Sequence, residues 1–341
     1  MIAVGSAEDV EPGLDELRPS FRLPLFSPAS SVEPSCHHRS IFAGDPFTPV
    51  IYVTTVVFTY RTDEGIELVT TLEKPAEFDD VMDGLGLMAG AANVIMQLSH
   101  PGVGYGVVES RVASGRLFDH PIKRTRTTLT YLAVAATGTD EEKKLYRKAV
   151  NTAHRHVRST ETSPVEYNAF DPDLQLWVAA CIYRGFEDVH NALYGPIPAE
   201  AVDWYYRKGA AFGTTLQVKP DMWPADREAF EKYWNDALAR VDIDDVVREH
   251  LYAIATMRFL PRPVSLLFGR LNLFLTTGFL PPMFRDRMRL PWSPRDQRRF
   301  DRLTRTLGAV NSRIPVALRE APYRLLMADL RRRIRTGRPL V

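Results

Sequence analysis

In the stretch DPDLQLWVAACI, residues 171–182, an aspartate stands directly before a proline. Asp171 suits an N-cap, because a short carboxylate can accept the N–H groups that the first helical turn leaves unpaired. Pro172 suits the first helical position, where no N–H is needed. Leu174, Trp177, Val178, Cys181 and Ile182 then recur three and four apart, the spacing of one buried helix face. The stretch predicts a helix at the centre of the core.

Helical spacing continues on both sides of it. Similar patterns recur at residues 199–213, 225–240 and 244–260, and Ser293-Pro294 opens another helix. Upstream, VMDGLGLMAGAANVIMQLSHPGVG (81–104) carries Gly84, Gly86, Ala89, Gly90, Ala91 and Ala92. Small residues there would let another helix or a flat cofactor approach the backbone, and Pro101-Gly102 would stop the helix. Residues 50–75 are rich in β-branched types and are broken by Asp63-Glu64-Gly65, which reads as a hairpin. The expected fold is all-α with a small N-terminal hairpin. Its divisions are an extended arm (1–45), the hairpin (46–78), a helical main domain (79–285) and basic C-terminal helices packed on it (286–341).

Composition narrows the classes. The 341 residues are 45% hydrophobic and 25% charged with a net charge of +1, ordinary for a globular protein, and they give no global argument for nucleic acid. Cys36 and Cys181 are too few for a disulfide framework or a cysteine-built zinc site. The first twenty residues show no basic n-region and no apolar h-region, so a cytoplasmic location is expected. Residues 263–284, PVSLLFGRLNLFLTTGFLPPMF, are too interrupted by Arg270 and the closing prolines to span a bilayer. They read as a buried core helix, the alternative being contact with lipid or an access route for a greasy substrate. Arginine exceeds acid from Arg285 onward, including Arg331 to Arg333 and Arg335, which reads first as a solvated helix face and next as a surface for anionic membrane.

The familiar catalytic motifs are missing. GVGYG (102–106) follows no strand and precedes no GK[ST], so it reads as a helix-ending turn and not a phosphate loop. Glu187-Asp188-Val189-His190 has the spacing of a di-iron helix motif, but no second copy exists. Cys36-His37-His38 has no partner pair nearby and reads as a polar turn.

NTAHRHVRS (151–159) places His154 and His156 two apart. On one helix they would diverge by about 200°, so at most one could ligate a given ion. A buried stripe through Leu145, Ala149, Val150, Ala153 and Val157 puts both at its edges and slightly favours His156.

Four segments together resemble the latex-clearing protein (rubber oxygenase) family, whose wider superfamily includes the fungal oxygenase of mycophenolic acid biosynthesis and actinobacterial relatives. They are QLSHPGVGYGVVES (97–110), HPIKRTRTTLTYL (120–132), NTAHRHVRS (151–159) and YNAFDPDLQLWVAA (167–180), and the likeness runs in order from residue 81 to about 195. The resemblance implies a globin-like helical fold holding haem b. The family's proximal His, followed three residues later by Val, falls on His154 and Val157. Its Arg and Thr near the haem fall on Arg124 and Thr128. Rubber oxygenases carry a basic residue just before that Thr; here it is Thr127, so a lysine-capped resting state is not implied. Glu109 is the candidate for the family's acidic base, across a loop of different length.

The reading that follows is a haem b oxygenase using dioxygen to cleave or oxidise a carbon-carbon double bond in an apolar substrate of isoprenoid or lipid character. His154 would hold iron, with its other N–H bonded to a carbonyl or carboxylate. Arg124 would bind the cofactor or orient oxygen, and Thr128 and Glu109 would complete the site. Extracellular rubber is not the expected substrate. Three alternatives stand beside this: a haem-binding or sensing protein without turnover, a helical scaffold touching membrane peripherally, and a non-haem iron enzyme.

Overall fold

The computed structural model describes residues 60–62, 65–67, 82–110, 112 and 116–341. The chain divides into two units, Met1–Val69 and Thr70–Val341. In the first, β1 (Tyr60–Thr62) and β2 (Gly65–Glu67) pair antiparallel with Thr62 opposite Gly65. The rest of the expected hairpin, the arm and Cys36-His37-His38 lie outside the described residues.

The second unit is helical. A 3-10 turn (Gly84–Ala89) leads into α1 (Gly90–Leu98), α2 (Pro101–Val108), α3 (Pro121–Thr137), α4 (Asp140–His154) and α5 (Pro172–Tyr194). Then come α6 (Ala199–Gly209), α7 (Ala211–Thr214), α8 (Arg227–Leu238), α9 (Asp245–Ala255) and α10 (Arg262–Phe279). The chain closes with α11 (Pro282–Arg287), α12 (Pro294–Asn311), α13 (Val316–Arg319) and α14 (Ala321–Thr336).

Helix α5 is the axis, as its sequence predicts. The Asp171 carboxylate accepts from the N–H groups of Asp173 at 2.8 Å and Leu174 at 3.3 Å. Trp177, Cys181 and Ile182 are buried, and Leu174 and Val178 pack beside them. Burying a large apolar side chain stabilises by about 1.5–3 kcal/mol, so this one face contributes several such increments. Helices α1, α6, α7 and α12 pack around α5. Close approach is built into the helix: a Cβ on Gly185 would fall 2.0 Å from the Asn93 side chain, whose amide instead donates to the Cys181 carbonyl at 2.7 Å.

Two sequence expectations change. The GVGYG segment is the body of α2, capped by His100, and not a helix-ending turn. Its glycines serve packing, since a Cβ on Gly104 would lie 2.6 Å from the Leu98 carbonyl oxygen. Helix α10 is a buried core helix only in its second half, from Leu275 to Phe279, while Leu266, Leu267, Phe268 and Leu271 are exposed. The arginine-rich end keeps Arg331, Arg332 and Arg335 exposed on one face of α14, whose other face buries Tyr323, Met327 and Leu330 and packs on α3. Its arginines reach back, Arg331 to Glu142 at 2.7 Å and Arg333 to Asp329 at 2.6 Å.

A buried polar knot ties front to back. The Asp83 carboxylate accepts from the Tyr194 hydroxyl, the Asn311 amide and the Arg319 guanidinium, the last at 3.2 Å from Nη2. Among the described residues no helix is long and apolar enough to cross a membrane.

Candidate active site

His154 is the last residue of α4, which starts on a reciprocal cap between Thr139 and Glu142. The structure revises how that helix faces the core. Tyr146, not Leu145, is buried, its hydroxyl donating to the Thr127 carbonyl at 2.6 Å, while Leu145 is 43% exposed. Steps of four from Tyr146 lead through Val150 to His154, so the buried stripe runs onto His154. His156 lies beyond the helix end and is exposed, so the argument that both rings share one helix does not hold, nor does the slight preference for His156.

The His154 imidazole is partly buried, with its ring edge-on to Phe170 at 6.5 Å between centroids. Nδ1 is buried and has no hydrogen-bond partner. The expected carbonyl or carboxylate partner is therefore missing among the described residues. Burial, reinforced by the nearby positive charge of Arg124, pushes the imidazole pKa down to about 4. The ring is neutral at pH 7, with a lone pair to give.

The backbone around it is pinned. The His154 carbonyl accepts from Val157 N–H at 2.9 Å, and the Val157 carbonyl accepts from Ala169 N–H at 2.9 Å. Gln175 on α5 donates to the Ala169 carbonyl at 2.6 Å and to Gln217 Oε1 at 2.8 Å, and accepts from Gln217 N–H at 2.9 Å. Gln217 in turn donates to Asn151 Oδ1 at 2.9 Å, one turn before His154. Sequence spacing could not expose this chain of amides, because its members lie on three separate elements. Its one sequence sign is a pair of glutamines among apolar neighbours.

Helix α3 brings the second group. Arg124 is accessible to solvent, yet surrounding protein desolvates its guanidinium enough to lower its pKa from the ordinary arginine value. It makes no ion pair among the described residues. Thr128, one turn on, exposes a hydroxyl free of side-chain bonds, while Thr127 bonds back to the Arg124 carbonyl at 3.0 Å.

Glu109 caps the end of α2. One of its oxygens, Oε2, accepts from Ser163 Oγ at 2.7 Å and the Tyr167 hydroxyl at 2.8 Å, both on the segment that leaves His154. Val157 lies against Gly106 of α2, where an added Cβ would come within 3.7 Å of it. Thus Arg124 lies near enough for its charge to act on His154, and Glu109 is joined to His154 through the 157–169 segment.

Residues 80–309 match the model of the family described as ER-bound oxygenase mpaB/B'/Rubber oxygenase, catalytic domain. The chain belongs to this rubber oxygenase family. All the residues just described fall inside the matched span, and membership supports an oxygenase in general. Relatives include uncharacterised proteins of Mycobacterium bovis and Mycobacterium tuberculosis, each 53% identical over 255 residues, which cover 75% of this chain and the whole of the relative. No solved structure matches the chain.

Among the described residues, other features of this rubber oxygenase family member do not converge on a second centre. Glu187 is buried in ion pairs with Arg184 and Arg227, whereas His190 faces the Gly195 carbonyl at 3.1 Å, so the ExxH spacing forms no shared site. A cavity of about 70 Å³ beside Phe186, Val189 and Phe212 is lined by neither His154 nor Arg124. Among the described residues no three His, Cys, Asp or Glu side chains gather to hold a bare metal ion.

Proposed function

We propose that the chain is a haem b-dependent oxygenase that uses dioxygen to cleave or oxidise a carbon-carbon double bond in an apolar substrate of isoprenoid or lipid character. The observation that carries this is His154: a neutral imidazole with a buried, partnerless nitrogen, beside the unpaired Arg124. The donor set would suit porphyrin iron, because the macrocycle supplies four nitrogens and His154 could supply the imidazole that the protein must add. A bare ion would need several protein ligands together, which the described residues do not supply. When bound, haem b supplies the redox chemistry that activates dioxygen.

The protein's own residues hold and shape that chemistry. His154 offers its lone pair, and the adjacent Arg124 charge opposes protonation of the ring. The unpaired Arg124 guanidinium suits a carboxylate such as a porphyrin propionate, which it can grip as a charge-assisted fork. Thr128 offers a free hydroxyl on the same face. Glu109, with one oxygen held by two hydroxyls, keeps Oε1 unengaged among the described residues and able to take a proton from substrate.

The purified protein, reconstituted with hemin, is expected to show a Soret band and a haem b pyridine haemochrome. His154→Ala should lose both and His156→Ala should keep both. A chain that takes up no hemin, or a His154→Ala variant that takes it up as the native chain does, would sink the proposal. Oxygen consumption with apolar polyenes tests turnover.

A further inference from the structure

The first half of α10 presents an apolar surface that nothing among the described residues covers. Leu266 is 81% exposed and Leu267 71%, with Leu271 at 52%. At about 100° per residue, Arg262, Leu266, Arg270, Leu267 and Leu271 fall within one half of the helix circumference. The opposite side holds Ser265 and Asn272, which donate to the Thr256 carbonyl at 3.0 Å and the Ala255 carbonyl at 2.9 Å. The exposed leucines therefore point outward because the helix is pinned by its other side.

Charge says what this face suits. Between Glu249 and Asp286 the chain has no acidic residue, while Arg258, Arg262 and Arg270 are exposed. None of the three makes an ion pair among the described residues. A protein partner with an apolar interface would leave these cations to find carboxylates one by one. A bilayer of anionic phospholipid meets leucines with acyl chains and arginines with phosphate at the same time. The two arginines within α10 keep it from spanning, in keeping with a helix lying in the interface.

We infer that the first half of α10 docks this protein on the surface of an anionic phospholipid bilayer, with Leu266, Leu267 and Leu271 entering the acyl boundary and Arg258, Arg262 and Arg270 binding phosphate. The face is continuous with the active-site scaffold. Phe259, just before α10, packs edge-on with Phe118 at 6.4 Å, and Phe118 belongs to the turn leading into α3, the helix of Arg124. Docking sets lipid beside that turn. The inference does not rest on the proposed oxygenase activity.

The test is cosedimentation of the whole chain with vesicles of phosphatidylcholine alone or with phosphatidylglycerol. The native chain should bind the anionic vesicles, and less at high salt. Leu266→Ser with Leu267→Ser should weaken binding about tenfold or more, since two large apolar side chains leave the interface. Arg262→Gln with Arg270→Gln should weaken binding and flatten its salt dependence. Arg331→Gln with Arg332→Gln should leave it unchanged. All these positions are exposed, and circular dichroism checks that the variants stay folded. In a Leu266→Trp variant, indole emission should shift to the blue on adding anionic vesicles. Absence of binding, loss confined to the Arg331 pair, or leucine variants that instead turn an oligomer into a monomer would each overturn the inference.

Discussion

Arg124 on α3 and His154 at the end of α4 are close enough that the guanidinium charge adds to burial in holding the imidazole well below its ordinary pKa. Neither side chain has another ionic partner among the described residues. A cation set beside a base that must stay uncharged is an electrostatic device: it makes the protonated ring costly without touching the neutral one.

The first prediction concerns this pair. A folded pKa near 4 against an unfolded value near 6.5 means that the unfolded chain binds the extra proton first. Stability of the haem-free protein should therefore fall as pH drops from about 6.5 to 4, by up to about 3 kcal/mol from this group, and should level off below. His154→Ala should remove that share of the slope in urea titrations run across the window. Arg124→Gln should move the His154 resonance to a higher pKa in an NMR titration, still below 6.5 because burial remains the larger cause.

Asp188 gives the opposite sign. Burial, helped by Glu187 and Glu231 and opposed by Arg184, raises its carboxyl to about 7 from the ordinary 3.8. The folded state thus holds the proton more tightly, and stability is lost as pH rises from about 4 through 7. Asp188→Asn should leave melting unchanged at pH 4 and raise Tm at pH 8. An equal shift at both values would count against the assignment.

The Asp83 knot should be among the most sensitive positions. Asp83→Ala leaves Arg319, 8% exposed, without the carboxylate it faces at 3.2 Å, and breaking a buried pair from one side costs about 3 kcal/mol or more. Urea unfolding of Asp83→Ala against Asn311→Ala would check it, the second losing only a neutral donor and about 1 kcal/mol.

Gln175 offers a test of positioning. Gln175→Leu removes its hydrogen bonds to Ala169 and Gln217 and should cost about 1–3 kcal/mol, because buried partners are left unsatisfied. If this amide chain orients His154, hemin affinity should fall in the same variant while its secondary structure by circular dichroism stays the same.

Local chemistry made the helices legible. Asp171-Pro172 and Ser293-Pro294 each announced a cap that the fold uses, because capping involves only neighbouring backbone. What escaped depends on contacts distant in sequence. Leu145 looked like the core residue of α4, yet Tyr146 takes that place because its hydroxyl finds the Thr127 carbonyl on α3. The glycines of GVGYG looked like a turn, because sequence cannot show Leu98 and Val247 pressing against Gly104. Residue types at 154 and 124 were readable through the family likeness, but their proximity is a product of α3 lying along α4.

The packing of α14 on α3 carries a last consequence. The matched family span ends at residue 309, whereas α14 begins at Ala321 and supports the helix that bears Arg124. Arg126, half a turn from Arg124, reaches Asp329 of α14 at 3.7 Å and the Leu340 carbonyl at 3.3 Å. Changes in α14, outside the matched span, would thus reach the backbone that carries Arg124 without altering any residue of the candidate site.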